Sequence, residues 1–315
     1  MRSHEDDGGR AESRLAGSSP SEMRAVFVGG NQKSGTSLLA ALLARHSRIT
    51  GLTGTGFPHD EGQFVQDVYV DELKMADSRL KTARWGYHPR AYLTEADVTT
   101  MTEPRARLYA SWEPYWENPG AEIFVEKTPS NVAKIRFLRH VFPGSRIIII
   151  TRHPATQALA VRKAADRRAL IGLDLEDSIA HWLFVMERLR DDLAHVGDIH
   201  ICKYEDLISA PYGTLAAAQQ YIGVDLEKIH HEGEIREDPR YMSYWKYLIS
   251  QRGTERFAPL NRRKSLRSSA PRVLERVIAP TIGKRDAHKV ISKFEDRVRR
   301  FGYSLQNPEK LEEWG

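Results

Sequence analysis

The sequence predicts an α/β fold, a three-layer, P-loop-like arrangement in which a central parallel sheet is flanked by helices. Three observations carry that prediction. Short apolar runs rich in β-branched residues each precede a segment of helical spacing, and the alternation recurs between residues 25 and 222. The first junction is glycine-rich, as an anion-binding strand-to-helix turn requires. At 315 residues, with 41% apolar and 28% charged side chains, the chain has the size and balance of a large globular domain.

Taken in order, the first run, 25–29, leads into a helix at 34–46. A long insertion over 51–120 follows; it carries Trp85, Trp112 and Trp116 and is expected to hold helices over 61–76 and 95–112. The second run, 122–125, precedes a helix at 131–140, and the third, 146–151, precedes one at 155–168. Residues 175–195 form a long amphipathic helix whose stripe of Ile179, Trp182, Leu183, Val185, Met186, Leu189 and Leu193 is a core-packing pattern. The fourth run, 198–202, precedes a short segment at 204–207 and a helix at 212–222. Residues 236–269 are loop-rich and basic, and helices over 271–282 and 285–301 close the chain. The expected organisation is a flexible tail at 1–22, one domain at 23–305 and a second tail at 306–315. The insertion 51–120 and the loop 236–269 are expected to shape the wall facing a second substrate, because ligand sites of such sheets lie at the carboxyl ends of the strands.

Composition excludes several classes. The single Cys202 permits neither an intramolecular disulfide nor a thiol-rich metal site, and it suits a reducing compartment. The first 22 residues lack an apolar core, so neither a signal peptide nor a membrane anchor is expected there. The apolar cluster at 147–150 is far too short to span a bilayer. The twelve histidines, the His230-His231 pair included, show no metal-binding spacing, and no metal is expected. The formal charge of +5 comes from 47 basic and 42 acidic residues that are interspersed, a balance that suits a small polyanion at least as well as nucleic acid. The aromatic stretch at 241–247 is read as a lid over an acceptor rather than as a nucleic-acid motif.

The loop at the first junction reads GGNQKSGTSLL. Gly30, four residues, Gly35 and then Thr36 and Ser37 reproduce a triphosphate-binding loop in all but one respect: Thr36 occupies the place of its lysine. The nearby lysine, Lys33, sits at the front of the loop. Triphosphates need that long lysine and magnesium, whereas a 5′-phosphate esterified to sulfate carries less charge and needs no metal. Lys33 can then lie beside the oxygen bridging phosphorus and sulfur, with Ser34, Gly35, Thr36 and Ser37 supplying hydroxyls and N–H groups to the phosphate.

Four segments in order, this loop, EKTPSN at 126–131, FPGSRIIIITRHP at 142–154 and KYEDLISAP at 203–211, together resemble the landmark sequences of the sulfotransferase family, and the DEGQF segment at 60–64 looks more like its bacterial members. The resemblance spans roughly residues 24–225, with a weaker echo in RRFGYSL near the end. It implies a P-loop-like α/β fold, 3′-phosphoadenosine 5′-phosphosulfate (PAPS) as co-substrate, and metal-independent transfer of a sulfuryl group to a hydroxyl or amine. By the same resemblance Lys33 to Ser37 hold the 5′-phosphosulfate, Arg152 binds the 3′-phosphate through its planar guanidinium, and Lys127 neutralises charge on the sulfate or the leaving phosphate. Eight residues after Arg152 the family usually has a serine; Ala160 stands here, with Arg162 or Lys163 as compensators. Tyr204 matches a tyrosine near the nucleotide, though a strand-end tyrosine packing on the core is an equal reading. The cluster Arg262, Arg263 and Lys264 resembles the late loop over the 3′-phosphate, and as a bare charge run it equally reads as solvated surface.

Removal of the acceptor proton requires a general base. Glu61 in FPHDEGQF is preferred, Glu126 is the competitor, and His59 is a third candidate; a helix-terminal charge is the alternative role for Glu61. His153 is expected to orient the turn before Pro154. The acceptor is expected to be a small molecule or glycan: a carbohydrate, lipid or secondary-metabolite hydroxyl, or an amine, sulfated in the cytoplasm, with no nucleic-acid partner, no membrane anchor and no oligomeric state fixed. The rival readings are a P-loop small-molecule kinase, disfavoured by the missing lysine and by a third strand that ends in Thr-Arg-His instead of a magnesium-holding aspartate, and a non-enzymatic nucleotide-binding protein.

Overall fold

The computed structural model describes residues 23–75, 84–164, 174–231, 235, 239–250 and 284–314. Its strands are β1 (Arg24–Gly29), β2 (Ile49–Gly51), β3 (Ile123–Lys127), β4 (Arg146–Thr151) and β5 (His200–Lys203), in the sheet order β2-β3-β1-β4-β5. Every neighbouring pair is parallel. Its helices are α1 (Thr36–Leu43), α2 (Glu72–Met75), α3 (Glu95–Val98), α4 (Pro104–Trp112), α5 (Ile135–Val141), α6 (Pro154–Ala164), α7 (Leu175–Val196), α8 (Tyr204–Ser209), α9 (Pro211–Ile222), α10 (Arg240–Ile249) and α11 (Lys284–Arg299).

The three layers follow from the two-residue period of buried strands. Val26, Val28, Ile123, Val125, Ile148 and Ile150 turn to one face, where they meet Leu39 and Leu42 of α1 and Leu215 and Ala218 of α9. Their neighbours turn the other way. Ile147 and Ile149 join the Ile179, Trp182 and Met186 stripe of α7, as the helical spacing predicts. Phe27 and Phe124 enter an aromatic cluster with Trp112 of α4 and Phe142; Phe27 lies 6.1 Å from Trp112 and 5.3 Å from Phe142 between ring centroids. Each fully buried ring contributes about 1.5–3 kcal/mol. The cluster thereby fixes Trp112, whose indole N–H donates to the Gly62 carbonyl at 3.1 Å and anchors the loop that carries Glu61.

Sequence expectation and structure part company in the insertion. The helix expected over 61–76 is instead a single 3₁₀ turn, Gly62–Phe64, and the short α2. Gln66 explains the difference. Its amide donates to the carbonyls of Gln63 (3.0 Å) and Tyr69 (2.8 Å) and accepts from the N–H groups of Val68 (2.7 Å) and Tyr69 (2.9 Å), so one side chain satisfies backbone groups that a helix would have paired. The helix expected over 95–112 is broken between α3 and α4, where Glu103 is left-handed (φ 45°) and Pro104 opens a new first turn. The edge strand β2, three residues long, is an addition.

The segment 241–247 lies within α10, a helix packed on α6 and α11, with Trp245 buried and donating to the Leu305 carbonyl at 2.9 Å. Residues 306–314, expected as a tail, fold back: Glu312 donates to the Gly302 carbonyl at 3.1 Å, its own carbonyl accepts from Lys203, and Trp314 packs 5.3 Å from Phe301. Residues 1–22, Arg262, Arg263, Lys264 and the helix expected over 271–282 lie outside the described residues.

Candidate functional site

The loop after β1 converges with the ends of β3, β4 and β5. Lys33 (φ 64°) and Gly35 (φ 104°) both take left-handed backbone, which folds the loop tightly before α1. Gly35 is also required by space, since a Cβ there would lie 2.6 Å from the Tyr204 ring. Helix α1 starts at Thr36 with no side-chain cap, leaving its first N–H groups without an acceptor from a capping residue. The Ser34 hydroxyl is fully buried and has no partner within the protein, whereas the Lys33 and Ser37 side chains are exposed. An anion with several oxygens fits this donor set.

Arg152, just past β4, holds the loop from one side. Its Nη1 donates to the Lys33 carbonyl at 3.0 Å, and its guanidinium lies 4.2 Å from the Tyr204 ring and 5.6 Å from the Tyr241 ring. Two aromatic faces thus fix a permanent positive charge beside the loop. Gln157 of α6 adds a bond to the Gln32 carbonyl at 2.6 Å. Ala160 is buried, and so is Arg162, where burial lowers its pKa against the pull of Asp174, Tyr244 and Asp286. Those neighbours set Arg162 among α10, α11 and the start of α7. The Lys163 side chain lies outside the described residues.

On the opposite side of β1, strand alternation sorts the two residues that end β3. In the ladder Phe27 pairs with Glu126 and Val28 with Lys127, so the two β3 side chains leave on opposite faces. Glu126 shares the aromatic face and is wholly buried. Its Oε1 accepts from the Gly62 N–H (3.0 Å) and the Thr128 hydroxyl (2.7 Å), and its Oε2 accepts from Asn131 (2.6 Å). Burial raises its pKa against those hydrogen bonds. Lys127 leaves on the α1 face, where its Nζ donates to Glu61 Oε1 at 3.1 Å and to the His59 carbonyl at 3.0 Å. The ion pair is nearly enclosed, with side-chain exposures of 6% for Lys127 and 10% for Glu61.

Glu61 stands at the N-cap of the 3₁₀ turn Gly62–Phe64 without a side-chain capping bond, and its carboxylate is turned to Lys127 and Gln63. Its second oxygen accepts from the Gln63 amide at 2.7 Å. The His59 side chain is exposed, and the protein uses the residue through its backbone: left-handed angles at His59 (φ 62°) and Asp60 (φ 48°) turn the His59 carbonyl to Lys127. His153 is buried at the β4–α6 junction, where its Nε2 pairs with the Ser304 carbonyl at 3.0 Å; burial lowers its pKa to about 4. A cavity of about 710 Å³ runs between α1 and β2 and is lined by Ser37, Ala41, Thr50, His59, Asp60 and Lys127 among others, so it joins the loop to the ion pair.

A buried polar layer behind the site carries no motif in the sequence. Glu72 accepts from Gln32 of the loop at 2.7 Å, and its N–H donates to Gln63 Oε1 at 3.1 Å. Lys134, fully buried, donates to the Ser130 carbonyl (3.2 Å) and hydroxyl (2.8 Å), and burial lowers its pKa to about 8. These residues come together only through turns around Gln66 and Pro129. Among the described residues no three His, Cys, Asp or Glu side chains gather as a metal site would need, and no helix is long and apolar enough to cross a membrane.

Residues 25–228 match the model of the sulfotransferase family. Over 221 residues the chain is 23% identical to protein-tyrosine sulfotransferase 2 of Gallus gallus, covering 67% of this chain and 54% of that protein. The chain therefore spans about half the length of the curated relative it matches. Among solved structures, a sulfotransferase from Alicyclobacillus acidocaldarius aligns with a TM-score of 0.46 at 13% identity, covering 72% of this chain and 90% of that one. The sulfotransferase domain of the curacin biosynthetic pathway aligns with a TM-score of 0.42 at 15% identity, covering 82% and 98%. The family match runs from β1 to beyond α9 and takes in the loop after β1, the Glu126-Lys127 strand end, Arg152 and Tyr204. It leaves out α10, whose Tyr241 flanks Arg152, and the chain belongs to the sulfotransferase family.

Proposed function

We propose that the protein transfers the sulfuryl group of PAPS to a hydroxyl or amine of a small-molecule or glycan acceptor, without a metal and with Glu61 as the base. One observation carries the proposal: the Glu61–Lys127 pair sits beside an anion loop in which Thr36 replaces the triphosphate lysine. PAPS supplies the activated sulfuryl group. Ser34, Gly35, Thr36 and Ser37 would hold its 5′-phosphate, with Lys33 at the exposed front. Arg152, which lies over the Tyr204 and Tyr241 rings, would hold the 3′-phosphate. Arg262, Arg263 and Lys264 remain proposed contributors to the same phosphate.

With Arg152 on the β4 side and Lys127 on the β3 side, the sulfuryl end of the donor would face Lys127 and Glu61. The acceptor would enter through the cavity between α1 and β2, which opens on Ser37 and Lys127. Its oxygen forms the new bond to sulfur as the sulfur–oxygen bond to phosphate breaks. The electron pair leaves with the phosphate, and Glu61 takes the acceptor proton. Lys127 favours charge gathering on the transferring group and the leaving oxygen. Glu126, its acceptor sites filled by Gly62, Thr128 and Asn131 on the other face of the sheet, serves to hold the Gly62 turn.

The likeness to protein-tyrosine sulfotransferase 2 places a tyrosyl peptide in the acceptor panel beside carbohydrates, lipids and other small-molecule hydroxyls. Incubation with PAPS carrying ³⁵S, followed by separation of labelled products across that panel, tests the proposal. Label transferred by the wild-type protein and lost in Glu61→Gln supports it; label transferred equally by both contradicts the assignment of the base.

A further inference from the structure

Both oxygens of the Glu61 carboxylate are held, and they are held differently. Oε1 faces Lys127, whose Nζ has a second acceptor in the His59 carbonyl. Oε2 faces the Gln63 side chain at 2.7 Å. An amide accepts at its oxygen and donates at its nitrogen, so its direction depends on what stands at the other end. There the Glu72 N–H, which can only donate, lies 3.1 Å from Gln63 Oε1. The amide therefore has one orientation, with its NH₂ aimed at Glu61.

The surroundings forbid that amide from turning. Gln63 has no solvent exposure, and its own N–H donates to the Thr128 hydroxyl at 3.3 Å. Its carbonyl accepts from Gln66 at 3.0 Å. Glu72 is buried in turn, and its carboxylate accepts from Gln32 of the anion loop at 2.7 Å. A chain of directed bonds thus runs from the loop through Gln32, Glu72 and Gln63 to one oxygen of Glu61.

We propose that Gln63 is a positioning residue that occupies Glu61 Oε2 with a donor and so leaves Oε1, on the Lys127 side, as the oxygen that takes the acceptor proton. The inference rests on the reading of Glu61 as the base. Each oxygen accepts one N–H bond, but the enclosed Gln63 amide is fixed on Oε2, whereas the Lys127 ammonium can turn to a bound anion, keep its bond to His59 and free Oε1 for the proton. Gln63 in this way directs the carboxylate without touching substrate.

The test measures release of adenosine 3′,5′-bisphosphate from PAPS with water as acceptor, in the wild-type protein, Gln63→Met, Gln63→Glu and Glu61→Gln. Loss of a hydrogen bond to a charged group is expected to lower kcat about 10- to 100-fold in Gln63→Met. The KM for PAPS and the affinity for the bisphosphate should stay within about twofold of wild type, because the amide does not reach the donor. Gln63→Glu is nearly isosteric and supplies an O–H donor only when its introduced carboxyl is protonated, so its rate relative to Gln63→Met should rise as pH falls. Wild-type kcat in Gln63→Met, or parallel pH profiles for the two variants, would overturn the inference. Should the wild-type protein fail to bind the bisphosphate, or Glu61→Gln retain full turnover, the functional reading beneath it fails, and this inference with it.

Discussion

The roles of the two candidate glutamates, Glu61 and Glu126, are told apart by a single step of β geometry. Glu126 precedes Lys127 in β3, and alternation sends them to opposite faces, so the lysine meets Glu61 while Glu126 is enclosed with Trp112 and Gly62. Glu61→Gln should lower turnover by about 10²–10⁴-fold with the fold intact, although the enclosed Lys127 loses its anion. Glu126→Gln should cost stability without that loss of turnover: an amide cannot accept from all three of Gly62, Thr128 and Asn131, and one buried donor left unpaired costs about 1–3 kcal/mol. Thermal melts and single-turnover assays on both variants check the pair, and a Glu126→Gln protein that is stable but inactive would reverse the assignment. Gly62→Ala belongs with them. Its Cβ would come within 2.7 Å of both Glu126 and the Trp112 indole nitrogen, so the Glu61 turn must move and activity should fall. The sequence offers Glu61, Glu126 and His59 as candidates because hydropathy cannot read the faces of β3, a strand buried on both sides. Left-handed backbone at His59, a matter of φ rather than residue type, is equally hidden.

At the scale of elements, the loop after β1 is held by its neighbours more than by itself. Arg152 bonds the Lys33 carbonyl and lies over the Tyr204 and Tyr241 rings, so Arg152→Ala should weaken binding of adenosine 3′,5′-bisphosphate by about 2–3 kcal/mol, the range for a lost charge-assisted contact. Lys33→Ala removes an exposed side chain at the front of the loop and should reduce turnover far more than bisphosphate affinity. Titration of both variants separates the two effects; equal losses of affinity would place Lys33 in ground-state binding. The loop, Arg152 and the four longer strands are legible because each carries its own local signal: glycine spacing, apolar runs, a charge at a strand end. The elements that escape do so where tertiary partners decide. β2 has three residues and exists through its pairing with β3, and the turn over 62–69 is organised by the side chain of Gln66 in place of a helical ladder. The aromatic run at 241–247 reads locally as a lid; that Trp245 packs in the core while Tyr241 lies on the Arg152 side is decided by tertiary partners.

Across the whole molecule, buried histidines tie distant parts of the chain together and link stability to pH. His153 joins the β4–α6 junction to Ser304 near the end of the chain, and His181 of α7 accepts from the Gly86 N–H at 3.0 Å. Burial lowers their pKa values to about 4 and about 3. The unfolded chain takes up these protons near pH 6.5 while the folded protein does not, so the stabilisation is complete above pH 6.5 and is lost as pH falls towards 4. For His153 the loss amounts to roughly 3 kcal/mol. Urea unfolding at pH 7 and pH 4.5 should show that loss, with a shallower pH dependence in His153→Gln; an identical slope in the variant would remove His153 from the linkage. The same C-terminal anchoring, with Glu312 on Gly302 and Lys203 and Trp314 on Phe301, is illegible in a short polar sequence that reads as a tail.

The central claim is that this fold holds a sulfuryl donor rather than a triphosphate. Isothermal titration of the protein with adenosine 3′,5′-bisphosphate, compared with ATP and magnesium, tests it most directly. Tight binding of the bisphosphate that chelators leave unchanged, with magnesium-ATP much weaker, is the expected result. Preference for magnesium-ATP would contradict it and would make the loop a triphosphate site in which Lys33 replaces the missing lysine.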